Sequence, residues 1–160
     1  MYDALVHGKT NKAVNGSKSG CRGECKMCER ISDDMVTSTC NMMSFKPADN
    51  GHCRIKNVVY LISCSSCLCP VYVGETGREI KERMTEHLRD IRLRKDKPIT
   101  HHFDGQHTAD MARFTILEKL YTASNMERRI REALWIKRLQ TARPNGCNVK
   151  DTWLPAQLRC

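Results

Sequence analysis

Cysteine placement is the feature that most constrains this chain. Ten cysteines stand among 160 residues, and they cluster rather than scatter. Residues 21–56, CRGECKMCERISDDMVTSTCNMMSFKPADNGHCRIK, hold Cys21, Cys25, Cys28, Cys40 and Cys53 with few apolar residues and no period of 2 or 3.6. Such a stretch has no hydrophobic repeat from which to build a core, and segments of this kind are ordered by a bound metal. The leading residues MYDALVHGKTNKAV contain no apolar core of a secretory leader. A reducing, intracellular compartment, nuclear or cytoplasmic, is therefore expected, and there clustered thiols bind metal more often than they form disulfides.

Lys and Arg number 27 against 18 Asp and Glu, a net charge of +9. A basic surface combined with clustered Cys and six His points to nucleic acid as partner. The longest apolar run, Val58 to Ile62, is too short to span a bilayer, so no membrane partner is expected.

Four regions follow from the pattern: a basic, disordered tail at 1–20, the Cys-rich zinc-binding segment at 21–56, a folded domain at 57–150 and a tail at 151–160. Within the folded domain, NVVYLIS and PVYVGE read as two strands joined by the tight CSSCLCP link, a hairpin enlarged by cysteines, with Gly74 and Gly77 as the turn that ends the second. Residues 78–95 read as a helix with Ile80, Met84, Leu88 and Ile91 on one face, Thr76 as its cap and Pro98 as its stop. Residues 99–111 read as a loop, and ARFTILEKL as a third strand. Ser124-Asn-Met-Glu127 is a capping-box pattern opening a helix to about Leu139, with Met126, Ile130, Ala133 and Leu134 along one side. Strand, strand, helix, strand, helix is the order of a small α+β layer fold.

Two ligand sets emerge. Cys64-x2-Cys67 has knuckle spacing, and His102-x4-His107 has the histidine spacing of Cys2His2 sites, with His101 as the alternative to His102. Cys21-x3-Cys25-x2-Cys28 with Cys53 offers a second set, in which His52 or Cys40 is the substitute member. Cys69, Cys147 and Cys160 are left as free thiols. Arg92, Arg94, Lys95, Lys97, Arg128, Arg129 and Arg131 are candidate phosphate contacts.

A third constellation carries chemistry. Tyr60 and Tyr72 lie in the first two strands, Arg83 and His87 stand one turn apart on the next helix, Glu132 interrupts an apolar stripe, and Asn148 follows PNGC. The motifs VVY at 58–60, YVG at 72–74, Arg83 with EH at 86–87, Glu132 before ALWIKRL, and Asn148 resemble those of the GIY-YIG nuclease family over roughly residues 57–150. The first motif reads Val58-Val59-Tyr60 and lacks the family's glycine, which serves the backbone rather than the reaction. NVVYLISC..C, YVGETGR....R..EH, HHF....H and ILEKL look like the nuclease domain of Penelope-like retroelements, a lineage with two cysteines between the tyrosine motifs.

The resemblance implies an α+β fold with a three-stranded, mainly antiparallel sheet flanked by helices. It implies a DNA endonuclease using Mg²⁺ or Mn²⁺, structural zinc at Cys64, Cys67, His102 and His107, and DNA, element RNA or a reverse transcriptase as partners. Glu132 offers the hard oxygen that Mg²⁺ prefers, and Arg83 the planar fork that grips phosphate. Tyr60 would take the proton of the attacking water directly or through another group, with Tyr72 orienting it or the water. His87 would bond the phosphate or assist proton transfer, and Asn148 would organise the site. The competing reading is a catalytically silent, zinc-dependent nucleic-acid-binding module. A redox or metal-storage protein fits less well, because short Cys pairs do not repeat along the chain.

Overall fold

The computed structural model describes residues 21, 25–122 and 124–149, so the two expected tails and Cys160 lie outside the described residues. Two short strands, β1 (Val36–Thr37) and β2 (Ser44–Phe45), precede three longer ones, β3 (Val58–Cys64), β4 (Pro70–Thr76) and β5 (Ala112–Lys119). The helices are α1 (Ile80–Arg92), α2 (Pro98–His102) and α3 (Asn125–Leu139).

The run VVYLISC makes the centre of the fold. A strand covered on both faces has no polar side, and β3 is buried at every position but Ser63. It pairs antiparallel with β4 on one edge and β5 on the other, giving the order β4-β3-β5. Its even-numbered residues, Val58, Tyr60, Ile62 and Cys64, meet Ile80, Met84, Leu88 and Ile91 of α1, with Ile99 and Phe103 beside them. Its odd-numbered residues, Val59 and Leu61, meet Trp135, Ile136 and Leu139 of α3. The protein is thus α+β: an antiparallel three-stranded sheet between two helical layers. Burying each of these large apolar side chains stabilises the fold by about 1.5–3 kcal/mol.

Residues 25–56 do not stand apart. The Ser32 N–H donates to the Phe114 carbonyl at 2.8 Å and the Ala48 N–H to that of Ile116 at 2.8 Å, so the segment covers the free edge of β5. Ile31 and Cys53 enter the α1-side core, and Val36 the α3-side core. β1 and β2 form a small antiparallel hairpin against α3, where Phe45 meets Trp135 edge-on at 5.3 Å.

Several local expectations are corrected. Gly74 lies inside β4 rather than in a turn. Thr76 does not cap α1; its Oγ1 accepts from the Arg78 N–H at 3.1 Å. The first N–H groups of α1, from Ile80 and Lys81, instead donate to the carbonyls of Ile55 and Cys53 at 2.9 Å. Pro98 starts α2 at its first position, where a missing N–H costs nothing, so part of the expected 99–111 loop is helical. Ser124 does cap α3, accepting from the Glu127 N–H at 3.3 Å. The buried face of α3 is Arg128, Ala133, Trp135, Ile136 and Leu139, whereas Met126 is exposed.

Candidate active site and metal centres

Tyr60 sits where β3 departs from regular pairing. The register with β5 shifts between Val59 and Tyr60, a bulge of the kind that re-aims a side chain. The Tyr60 ring is fully buried, and its hydroxyl reaches two residues of α1: His87 Nε2 at 2.8 Å and Arg83 Nε, which donates at 3.2 Å. Arg83 also donates through Nη1 to Glu86 Oε2 at 2.9 Å. Phe114 closes the cluster, its ring centroid 6.5 Å from both Tyr60 and His87, while Tyr72 stands edge-on to His87 at 5.5 Å.

Protonation follows from burial. Burial drives the His87 imidazole down to about 3, with the Arg83 charge acting in the same direction. His87 is therefore neutral. Burial also raises the Tyr60 phenol, the charge of a deprotonated Tyr72 adds to that, and Arg83 only partly offsets them. Tyr60 accepts from Arg83, so a buried, satisfied hydroxyl must send its own proton to His87 Nε2. This places the His87 proton on Nδ1. Arg83 keeps its charge: burial opposes it, but Tyr60 and Glu86 more than compensate.

A neutral buried His makes stability pH-dependent. Unfolded His87 binds a proton below about 6.5, while the folded state resists it down to about 3. This contribution is complete above the unfolded value and is lost as pH falls through that window. Between pH 7 and pH 5 the chain should lose about 2 kcal/mol from this group alone. His87→Asn should show that much less pH dependence in urea unfolding with zinc saturating; equal slopes in both proteins would contradict the assignment.

Gly74 makes room for this cluster. A Cβ there would overlap the Tyr60 hydroxyl and stand 2.9 Å from Tyr72 Cε1. The ring cannot retreat because Tyr60 has no exposed surface. Gly74→Ala should destabilise the fold by about 1–3 kcal/mol, read as a lower urea midpoint; an unchanged midpoint would mean that the cluster repacks freely.

Tyr72, Arg83, His87, Glu132 and Asn148 line one cavity of about 440 Å³. Tyr60 does not line it and reaches it only through His87 and Arg83, which corrects the expectation of direct water contact. Glu132 comes from α3 and lies close enough to Tyr72 that its charge, second to burial, raises that phenol. A single hard carboxylate on the wall of a cavity this size suits Mg²⁺ or Mn²⁺, which keep several waters. Asn148 acts on the backbone: it accepts from the Val73 N–H at 2.8 Å and donates to the Val73 carbonyl at 2.8 Å, while Thr141 Oγ1 donates to it at 2.7 Å. Val73 lies on the outer edge of the sheet between Tyr72 and Gly74, so the Asn148 amide stands in for a neighbouring strand and fixes both.

Both ligand sets assemble. The donor atoms of Cys64, Cys67, His102 and His107 lie within 4.8 Å of one another, as do those of Cys21, Cys25, Cys28 and Cys53. Soft sulfur and imidazole donors, four to a site, fit zinc, and either group could hold a metal ion. His101 bonds Asp96 at 2.9 Å and belongs to neither set. Cys40 is exposed, and His52 Nδ1 accepts from the Arg54 N–H at 3.3 Å, so neither substitutes in the second set. The Cys28 backbone N–H holds the Cys25 thiol down to about 7, which favours the thiolate a metal requires. Cys69 is a near neighbour of the first set, its Sγ 2.8 Å from that of Cys67, and burial raises its thiol to about 12. Cys147 packs half-buried against the α1-side core.

The basic residues divide. Arg128 is buried and bonds Glu75 at 2.7 Å, and Arg131 meets Glu118 at 2.6 Å, so both join α3 to the sheet. Arg92 and Arg94 lie 3.8 Å from Asp110 and 3.6 Å from Asp104. Arg129 is exposed. Two further residues bear on the site and carry a faint sequence signal: Glu86, which holds Arg83, and Asp90, an acid within the buried stripe of α1. No helix is long and apolar enough to cross a membrane among the described residues. Comparison with protein-family models, curated proteins and solved structures gives no match for this chain.

Proposed function

We propose that the chain is a GIY-YIG-type DNA endonuclease of the Penelope-like retroelement kind, cutting one phosphodiester bond with a divalent metal. What carries the reading is the convergence of Tyr72, Arg83, His87, Glu132 and Asn148 on one cavity, with Tyr60 locked behind it. These residues come from two strands, two helices and the C-terminal segment, and the sequence motifs had already grouped them.

The reaction adds water to phosphorus and breaks its bond to the 3′-oxygen, which leaves as a hydroxyl. Mg²⁺ or Mn²⁺, when held by Glu132, supplies Lewis acidity toward the phosphate. Arg83 brings a permanent charge and a planar set of donors, of which Tyr60 and Glu86 engage two. Its guanidinium is held before substrate arrives, and such preorganised charge accounts for much of enzymatic rate enhancement. Tyr72 and His87 face the cavity and are the groups within reach of a water there. Tyr60 is a positioning residue in this scheme: it fixes the tautomer of His87 and the direction of Arg83. Two zinc-bound Cys/His sets brace the sheet on either side of the site, and the basic surface binds DNA, with element RNA or a reverse transcriptase as further partners. A nuclear or cytoplasmic location accords with that substrate.

One observation favours the silent, zinc-dependent binding module: Tyr60 holds its proton and does not face the cavity. A 5′-labelled duplex incubated with Mg²⁺ separates the two. Cleavage should leave a 3′ end that a DNA polymerase extends. Tight binding with no cleavage in either Mg²⁺ or Mn²⁺ would favour the module.

A further inference from the structure

Helix α1 carries a second buried polar side chain one turn beyond His87. Asp90 is 3% exposed, beside Leu88 and Ile91 on the apolar face. Three cations converge on its carboxylate: Lys97 Nζ lies 2.5 Å from Oδ2, and Lys95 Nζ and Arg89 Nε lie 3.1 and 3.9 Å from Oδ1. None of the three makes another ion pair among the described residues. One carboxylate against three cations leaves a surplus of positive charge at this edge of the cavity. The lysine bonds, Lys97 first, hold Asp90 down to about 2, so it stays ionised at any working pH.

Lys97 differs from its two companions because it lines the cavity, together with Asp90. The backbone around it is fixed: the Lys95 N–H donates to the Asp90 carbonyl at 3.0 Å, and the Thr100 N–H to that of Lys97 at 3.0 Å. A lysine on a free loop carries about 2 kcal/mol of rotamer entropy that binding must remove; this one is already held. It spends one of three N–H donors on Asp90. Should it turn toward a ligand, Lys95 and Arg89 still face Asp90, so the buried carboxylate is not abandoned.

We propose that Lys97, seated at the cavity wall by Asp90, binds a DNA phosphate neighbouring the one that Arg83 engages. The assignment rests on the reading of this cavity as a DNA site. An ammonium serves as a point charge for phosphate, complementary to the planar fork of Arg83. Asp90 is then a positioning residue for Lys97.

The test is duplex affinity against NaCl concentration, using the full zinc-loaded chain, a fluorescein-labelled duplex and no added Mg²⁺. Loss of one phosphate contact makes the slope of log K against log salt shallower by about 0.9. Lys97→Met should show that change with severalfold weaker binding, and Lys97→Arg should restore the slope. Lys95→Met, which removes a charge from the same acid but not from the cavity, should keep the wild-type slope. Identical slopes for wild type and Lys97→Met would overturn the proposal, as would equal losses from both lysines. If wild type binds DNA but never cleaves it, the hydrolytic reading falls while the slopes still decide the role of Lys97. If wild type does not bind duplex, both fall.

Discussion

Glu132→Gln should reduce metal-dependent cleavage of supercoiled DNA on the order of a thousandfold or more, while duplex affinity stays within about twofold. Glutamine keeps the length and shape of the side chain, so the α3 packing around Trp135 and Ile136 is retained. It removes the one negative oxygen pair that the cavity offers from α3, and a neutral amide is a poor ligand for a hard dication. A second readout is independent of cleavage. Because the Glu132 charge adds to the rise of the Tyr72 phenol, that phenol should titrate at lower pH in the variant. Retained cleavage with an unmoved Tyr72 would remove Glu132 from the site.

Cys25→Ser should cost about one zinc per chain and lower the thermal midpoint on the order of 10 °C or more. Four-ligand zinc sites contribute about 10–16 kcal/mol of binding to folding, against a total stability of about 5–15 kcal/mol for an ordinary domain. Cys25 is only partly buried, so the loss cannot be assigned to core packing alone. The damage should reach the active helix, because the Cys53 and Ile55 carbonyls receive the first N–H groups of α1, which carries Arg83 and His87. Cleavage should therefore fall with zinc content. Zinc per chain read by atomic absorption and the melting midpoint check this together; two unchanged values would show that the four sulfurs are not a metal site.

Much of the sheet could be read from the chain because β-branched and aromatic runs between turn residues have few alternatives. The run at 58–64 and its hairpin partner at 70–76 follow from that pattern. The ligand sets were legible too, since metal spacing is a local property and the fold only brings the halves together. What escaped was polar burial. The buried face of α3 includes Arg128, paired with Glu75, and Trp135, whose indole N–H donates to Glu118 at 2.8 Å. A hydrophobic period ignores such pairs, so it selected Met126 and Ile130 instead. The cap of α1 was invisible for another reason: it is supplied by carbonyls from the Cys-rich segment, and no side-chain pattern encodes them. The position of Tyr60 behind the cavity depends on the β3–β5 bulge, a register feature that one strand's sequence does not announce.

The central claim is that these side chains form a metal-dependent site for phosphodiester hydrolysis. Incubation of the zinc-loaded wild-type chain with supercoiled plasmid tests it most directly, with Mg²⁺, with Mn²⁺ and with neither. The account predicts conversion to open circles only where Mg²⁺ or Mn²⁺ is added. Plasmid that is bound but stays supercoiled in both metals, or is nicked equally without them, would contradict it.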